Sequence, residues 1–101
     1  MLPDSYSFVV IFEQSGNSMV DIRVPDLPDC TASCNDYTPQ KALSILKAYE
    51  ILATYLYIAE LNNVKIPAPS NIADIKLKKN ETAETITVQM KTFRAKMNKL
   101  K

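Results

Sequence analysis

The sequence predicts a single α+β domain, a small layer pair of sheet and helices in the order β-β-β-α-β-α. Two alternating segments around one turn open the chain, a long uninterrupted helical pattern follows, and a further strand and short helix come last. A length of 101 residues suits one modest core and is too short for two domains. We therefore predict one domain over 1–101, with a core (5–66), a connector and loop (66–84), and a last strand with a basic terminal helix (85–101).

The first two strands form a predicted hairpin. Residues 6–13 are β-branched and aromatic on both faces, which is typical of a central strand or of a strand used in an interface. Gly16 lies in a Ser-Gly-Asn turn, where it can supply a positive φ. Residues 18–24 then alternate as a half-buried antiparallel strand. Val20, Ile22 and Val24 are the inward residues of this strand, and Met19, Asp21 and Arg23 are the outward ones.

Prolines separate the hairpin from the helix. The segment PDLPD at 25–29 ends the second strand, because a proline cannot donate a hydrogen bond to a sheet. A short third strand is predicted at 30–34. Thr38 then serves as the N-cap and Pro39 as the first residue of a helix that meets no breaker before Asn63.

The helix carries more apolar residues than one core needs. A stripe at three- and four-residue spacing predicts the face that packs on the sheet. The stripe consists of Ala42, Ile45, Leu46, Tyr49, Leu52, Ala53, Leu56 and Ala59. A second set lies on another side of the helix, and either the C-terminal segment covers it or it is an oligomer or partner surface. This set consists of Leu43, Ile51, Tyr55 and Ile58.

The remaining chain predicts a connector, a strand and a helix. IPAPS at 66–70 is a stiff connector, and a polar surface loop follows. Residues 85–90 alternate as a fourth strand, with Ile86, Val88 and Met90 on one face. Phe93, Met97 and Leu100 recur at helical spacing in a short basic helix.

Composition excludes most enzyme classes. The chain has no His, two Cys and one Gly, so the usual general base, a structural zinc site and a glycine-rich phosphate loop are not expected. We predict no catalytic residue, no metal site and no cofactor. The charge is uneven: residues 1–75 hold nine acidic and four basic side chains, whereas 76–101 hold eight basic and two acidic ones. An acidic body suits a basic partner, and a basic tail suits an acidic partner or nucleic acid.

The sequence also predicts a cytoplasmic protein. It has no run of about 18 uncharged apolar residues, so a membrane span is not expected. Its N-terminus has no basic n-region and no small-residue cleavage site, which excludes a signal peptide. Cys30 and Cys34 would lie roughly 13 Å apart on one strand face, too far for a disulfide, and are interpreted as small buried thiols.

The order of these segments resembles the HicB-like antitoxin domain, the antitoxin half of bacterial HicA–HicB toxin–antitoxin pairs. The resemblance covers nearly the whole chain. The segments that carry it are Val24-Pro25-Asp26-Leu27-Pro28 followed by Cys30, Asn35-Asp36-Tyr37-Thr38 before the helix, Ile66-Pro67-Ala68-Pro69-Ser70, and a last strand leading to Phe93 and Arg94. Two positions depart from the family pattern, since Asp29 and Asn35 stand where glycine is usual.

The resemblance implies a curtailed ribonuclease-H-like fold without nuclease chemistry. Members of the family bind and silence a small basic ribonuclease toxin, and many continue into a C-terminal module that binds DNA. This chain reaches Lys101 without such a module, so it is expected to be the toxin-binding half alone. Because the family commonly assembles through the antitoxin, a homodimer or a higher oligomer is expected, and direct promoter binding is not.

Candidate residues follow from these two lines of reasoning. Acidic residues facing Lys or Arg on a toxin would steer association and displace RNA phosphates, although loop acids are also typical of turns and caps. The candidate partner-binding residues are Asp21, Arg23, Asp26, Asp29 and Asp36. The terminal basic run is a weak nucleic-acid candidate, and it equally fits a solvated helix exterior. This run consists of Lys91, Arg94, Lys96, Lys99 and Lys101.

The sequence therefore predicts a non-catalytic antitoxin that occludes a HicA-type ribonuclease. An alternative keeps the fold and changes the target, as an orphan or phage-borne inhibitor of another protein such as a host defence nuclease. A second alternative is nucleic-acid binding through the basic tail. A third is a relic nuclease, which would need Mg²⁺ or Mn²⁺ and would depend on Asp21.

Overall fold

The computed structural model describes residues 2–100 and contains a four-stranded antiparallel sheet with helices on one face. The predicted α+β class and the order of the elements are confirmed. The strands are β1 (Ser5–Gln14), β2 (Met19–Val24), β3 (Leu27–Asn35) and β4 (Glu81–Gln89), and the helices are α1 (Ala42–Leu61) and α2 (Met90–Lys99). Two short 3₁₀ turns lie at Pro39–Lys41 and Ile72–Asp74.

Strand β1 lies inside the sheet, whose order is β3-β2-β1-β4. Its helix-facing residues Phe8, Val10 and Phe12 belong to the main core. Val9 and Ile11 face the other side and are each only 2% exposed. The prediction of a central strand that is covered on both faces is therefore confirmed.

The turn between β2 and β3 is tighter than predicted. Only Pro25 and Asp26 separate the two strands, and β3 begins at Leu27 rather than at residue 30. Pro28 is tolerated within β3 because this strand lies at the edge of the sheet, where one side makes no ladder hydrogen bonds. The third strand, which was predicted to be short, is therefore nine residues long.

Helix α1 begins later than predicted. Gln40 and Lys41 adopt left-handed backbone conformations, with φ values of 56° and 58°, so Pro39 starts a 3₁₀ turn and the α-helix starts at Ala42. The break lets the chain turn from β3 onto the sheet. The sequence contains no glycine at this point to signal it.

The face of α1 that packs on the sheet also differs from the predicted stripe. Leu52, Ala53, Leu56 and Ala59 are buried as predicted, whereas Ala42, Ile45 and Leu46 are exposed. Ser44, Ala48 and Tyr57 complete the buried face. The side chains of Ser44 and Ala48 are small, so the helix can approach the sheet closely there. Bulky side chains are therefore not needed to fill the space between helix and sheet at that point.

The connector after α1 leads from one end of the sheet to the other. Ser70 contacts Asp26 in the β2–β3 turn, and the Gln14 amide at the opposite end donates to the Asn80 carbonyl. Strand β4 then starts at Glu81, four residues before the predicted strand at 85–90. Ile86, Val88 and Met90, the three residues predicted to face inward, are all buried, but the strand ends at Gln89 and Met90 is the first residue of α2.

One helical segment is long and apolar enough to cross a membrane by length and composition alone, Pro39–Leu61. Lys47, Glu50 and Glu60 interrupt this segment, so the sequence still contains no uncharged apolar run of about 18 residues. The same segment is the core helix of the domain, with Leu52 and Leu56 fully buried against the sheet. The fold is consistent with a soluble protein.

Candidate functional site

A shallow depression of about 340 Å³ lies on the sheet face opposite the helices. It spans β1, β2 and β3, and its polar lining comes from outward residues of these strands. The lining residues are Glu13, Asp21, Ile22, Arg23, Thr31, Ala32 and Ser33. Two of the predicted partner-binding residues, Asp21 and Arg23, therefore lie together here.

Two carboxylates face each other in this depression. Glu13 on β1 pairs in register with Asp21 on β2, so their side chains project from the same face at adjacent positions. Neither makes an ion pair with another residue in the described part of the chain. Glu13 accepts only a long hydrogen bond from the Asn80 side-chain amide, at 3.4 Å. Like charges directly opposite each other on a sheet repel, so both carboxylates would attract a cation that approaches this face.

The neighbouring acidic residue, Glu81, differs from Glu13 and Asp21 because it is in an ion pair. It pairs in register with Glu13 from the β4 side, but Arg23 Nη1 donates to its Oε2 at 2.6 Å and the Lys78 amide donates to its Oε1 at 2.8 Å. These hydrogen bonds, that of Arg23 first, hold the pKa of Glu81 below its usual value. Arg23 is thus neutralised by Glu81, and the depression keeps a net negative charge from Glu13 and Asp21.

The other loop acids have structural partners. Asp26 accepts hydrogen bonds from the Ser70 amide at 2.7 Å and from the Ser70 hydroxyl at 2.6 Å, which fastens the connector to the β2–β3 turn. Asp36 accepts from the backbone amides of Thr38 and Ser44 and from both hydroxyls. The hydroxyl of Ser44 and then that of Thr38 are the main reasons that the pKa of Asp36 is lowered.

A groove of about 440 Å³ separates α1 from β3, on the helix side of the sheet. Asp29 lies at this groove rather than beside Asp21. Three of the surplus helix residues also line it, namely Ile51, Tyr55 and Ile58, and Leu43 lines its continuation near Asn35. Helix α2 does not cover this groove, because it packs against Tyr57 through Phe93 and against Glu60 through Arg94.

The basic terminal residues are not equivalent. Arg94 makes a two-point ion pair with Glu60, at 2.9 Å from Nε and 2.6 Å from Nη2, and Nη2 also donates to the Pro3 carbonyl. Tyr6 donates to the same carboxylate at 2.9 Å. Lys91, Lys96 and Lys99 are exposed on α2, and Lys101 lies outside the described residues. Arg94 is therefore occupied within the fold.

Both cysteines are free thiols on the helix side of β3. Cys30 is 3% exposed, and burial raises its pKa to about 11. Its thiol donates a weak hydrogen bond to the Ile51 carbonyl, and the thiol of Cys34 contacts the Ser44 hydroxyl. Cys30 thus fits the interpretation of a small buried thiol, whereas Cys34 is only half-buried.

No group of three or more acidic or thiol side chains within residues 2–100 is arranged to hold a metal ion. The chemistry that the arrangement does offer is recognition of a cationic group by the Glu13–Asp21 pair. Sequence reasoning singled out Asp21 and missed Glu13. The missing information is the hairpin register: the Ser15 amide donates to the Met19 carbonyl at 3.0 Å, so a three-residue loop (16–18) sets Glu13 opposite Asp21.

No protein-family model matches this chain, and no curated protein matches it at a significant level. Any functional assignment therefore rests on the residues of this chain and their geometry. The two surfaces that matter are the acidic depression on the open sheet face and the groove between α1 and β3.

Proposed function

We propose that this chain is a non-catalytic, protein-binding inhibitor of a small basic ribonuclease, acting as HicB-like antitoxins act on HicA-type toxins. The observation that carries the proposal is that Glu13 and Asp21 stand opposite each other in a depression on the sheet, with neither in an ion pair within residues 2–100. The described α+β layers are compatible with the curtailed ribonuclease-H-like fold of that family, which forms part of the proposal. The cytoplasm is the proposed compartment.

The proposed mechanism is occlusion of the toxin's RNA-binding surface. A ribonuclease binds RNA through Lys and Arg side chains that contact phosphates. A Lys or Arg inserted between Glu13 and Asp21 would relieve their mutual repulsion and would gain two charge-assisted hydrogen bonds. The same cationic side chain cannot hold an RNA phosphate at the same time, so binding to this chain and binding to RNA exclude each other.

The surroundings of the pair favour a protein ligand. Thr31 and Ser33 line the depression beside the carboxylates and offer hydroxyls that can donate or accept at a polar interface rim. Arg23 also lines it but is neutralised by Glu81 at 2.6 Å. The face therefore attracts cations without a competing positive charge, and this would speed association with a basic partner.

The test is co-purification and inhibition with the small basic ribonuclease encoded beside this chain's gene. The wild-type chain is expected to bind the ribonuclease and to stop RNA cleavage at equimolar ratio. Glu13→Gln with Asp21→Asn should weaken binding about 100-fold, as expected for loss of two desolvated charge pairs. Asp74→Asn removes an exposed acid from the connector and serves as the matched control, with unchanged affinity.

Three results would contradict the proposal. Absence of a basic ribonuclease gene beside this one, with capture of another nuclease, would instead favour an orphan or phage-borne inhibitor. Unchanged affinity of the Glu13→Gln, Asp21→Asn variant, with its circular dichroism intact, would reject the acidic depression as the contact. Binding of RNA or DNA by the chain alone, lost in a variant without Lys91, Lys96 and Lys99, would favour the nucleic-acid alternative.

A further inference from the structure

The outer edge of β3 presents unpaired backbone groups. β3 has a sheet neighbour on one side only within residues 2–100. The Asp36 amide donates to the Ser18 carbonyl at 2.8 Å, and hydrogen-bonded pairs alternate along an antiparallel ladder. In the register of β2 with β3, the backbone groups of Ala32 and Cys34 therefore face β2. Those of Thr31, Ser33 and Asn35 face outward.

This edge lacks the usual protection against pairing. Pro28 and Asp29 protect only its beginning, and from Cys30 to Asn35 the strand carries no charged residue and no proline. The opposite edge, β4, is guarded by Glu84 and by the Lys78 carbonyl, which accepts the outward amide of Glu81. The two edges of the sheet are thus unequal, and β3 is the one open to a further strand.

The flank of α1 above β3 is apolar with two charges in its middle. Leu46 is 56% exposed and Ile58 is 50% exposed, which is costly for a surface that stays in water. Lys47 and Glu50 line the groove between them. The contacts from Cys34 to Ser44 and from Cys30 to Ile51 set these two charges beside the middle of β3.

We propose that β3 pairs antiparallel with β3 of a second copy of this chain, giving a twofold dimer with a continuous eight-stranded sheet. A twofold axis through the sheet near Ala32 brings outward-facing Thr31 opposite outward-facing Ser33 of the other copy. It also sets Asp29 opposite Asn35, so no like charges meet. The inference does not depend on the proposed ribonuclease partner.

Charge complementarity identifies the second copy as the occupant. Helix α1 runs antiparallel to β3, since Ser44 lies near Cys34 and Ile51 lies near Cys30. An axis near Ala32 therefore passes between Lys47 and Glu50, and Lys47 of each copy faces Glu50 of the other. The same operation sets Leu46 of one copy opposite Ile51 of the other, apolar against apolar. A self-complementary patch of this kind is what an isologous interface requires.

Sedimentation equilibrium of the full chain tests the proposal. The wild-type chain is expected to dimerise. Lys47→Glu and Glu50→Lys should each raise the dissociation constant about tenfold or more, because each puts like charges together twice per dimer. The double variant Lys47→Glu, Glu50→Lys restores opposite charges and should recover wild-type affinity. Because both side chains are exposed, the monomers should keep their circular dichroism.

A backbone test is independent of these charges. Ser33→Pro removes one outward amide from β3 without breaking a ladder bond to β2, and it should reduce dimerisation about tenfold or more. Thr85→Pro removes an outward amide from the β4 edge and is the matched control, with unchanged affinity. A chain that is monomeric at high concentration would overturn the proposal. So would a dimer indifferent to both sets of variants, or occupation of this edge only by a different protein.

Discussion

Asp36 is a single side chain that determines where α1 begins. Its carboxylate accepts from Thr38 and Ser44 across the left-handed residues Gln40 and Lys41. The Ser44 amide is one of those that a helix leaves without a partner in its first turn. Thr38, the N-cap expected from the sequence, does not cap the 3₁₀ turn that follows it. Its hydroxyl instead accepts from the Leu43 amide of α1 at 3.2 Å and donates to Asp36, so it shares the capping of α1 with Asp36. The sequence therefore identified the segment in which the helix begins. It contains no local signal for the left-handed conformation of Gln40 and Lys41, which brings Asp36 to the start of the helix.

The capping role predicts a dependence of stability on acid. The pKa of Asp36 is lower in the folded chain than in the unfolded one, where it is about 4. Its contribution is therefore fully present above that pH and is lost as the pH falls toward the lowered value. Asp36→Asn should lower the urea midpoint at neutral pH, and the difference from wild type should shrink below pH about 4. Asp74→Asn, which alters an exposed acid, should leave the midpoint unchanged at both pH values.

The hydroxyl of Tyr6 predicts a loss of stability at alkaline pH. Burial, followed by its hydrogen bond to Glu60, raises the pKa of Tyr6 to about 12, above an unfolded value of about 10. Because the folded chain holds this proton more tightly, stability is fully present below pH about 10 and falls as the pH rises through that value toward 12. Thermal unfolding of wild type should show this loss, and Tyr6→Phe should show less of it. Equal alkaline loss in both would contradict the prediction.

At the scale of elements, α1 shows where sequence patterns succeed and where they fail. The alternation of β2 identified Val20, Ile22 and Val24 correctly, because one face of that strand is polar. Helix α1 is apolar on almost every side, so its pattern does not distinguish the face that packs. The buried face includes small residues such as Ser44 and Ala48, which a search for bulky side chains passes over.

Two leucines on α1 provide a direct test of which face is buried. Leu52 is fully buried and Leu46 is 56% exposed, although the sequence pattern assigns both to the core. Leu52→Ala should lower the free energy of unfolding by about 3 kcal/mol, through lost transfer energy and a cavity. Leu46→Ala should lower it by less than about 1 kcal/mol. Urea unfolding at a concentration where the chain is monomeric measures both, and equal losses would contradict the observed packing.

Helix α2 is held to the fold by the buried Met90, by the contact of Phe93 with Tyr57 and by the ion pair of Arg94 with Glu60. Glu60 has a side chain only 4% exposed, so removing Arg94 leaves an almost buried carboxylate without its partner. Arg94→Ala should therefore cost about 3 kcal/mol, and adding Glu60→Gln should recover part of the loss. Lys96→Ala, on the exposed side of the same helix, should cost less than about 0.5 kcal/mol. Guanidinium unfolding of the three variants measures these differences.

For the whole molecule, local patterns predicted the class and the order of elements, whereas long-range pairing set the boundaries. Strand β4 starts early because Glu81 and the residues after it pair with β1, and the cationic partner of the buried Glu81 is Arg23 on a distant strand. Nothing near Glu81 in the sequence signals that ion pair. The acidic site also depends on long-range pairing. Asp21 could be recognised in the sequence as an outward acidic residue, but Glu13 is its neighbour only because of the register between β1 and β2.

The same long-range pairing predicts that the sheet cannot form without β4. A fragment of residues 1–80 lacks the strand that covers one side of β1, together with the buried Ile86, Val88 and Met90. We expect this fragment to bind a dye specific for exposed apolar surface and to unfold without a cooperative transition. A cooperative urea transition in the fragment would contradict the dependence on β4.

The pairing of β1 with β4 also has a consequence during synthesis of the chain. Ser7 and Thr87 contact each other across 80 positions of sequence, and ribosomes add about 5–20 residues per second. The apolar row from Phe8 to Phe12 therefore emerges several seconds before its partner strand exists. For that interval the nascent chain offers an unprotected strand to chaperones and to neighbouring nascent chains. Slower translation of the connector would lengthen the period during which β1 is exposed.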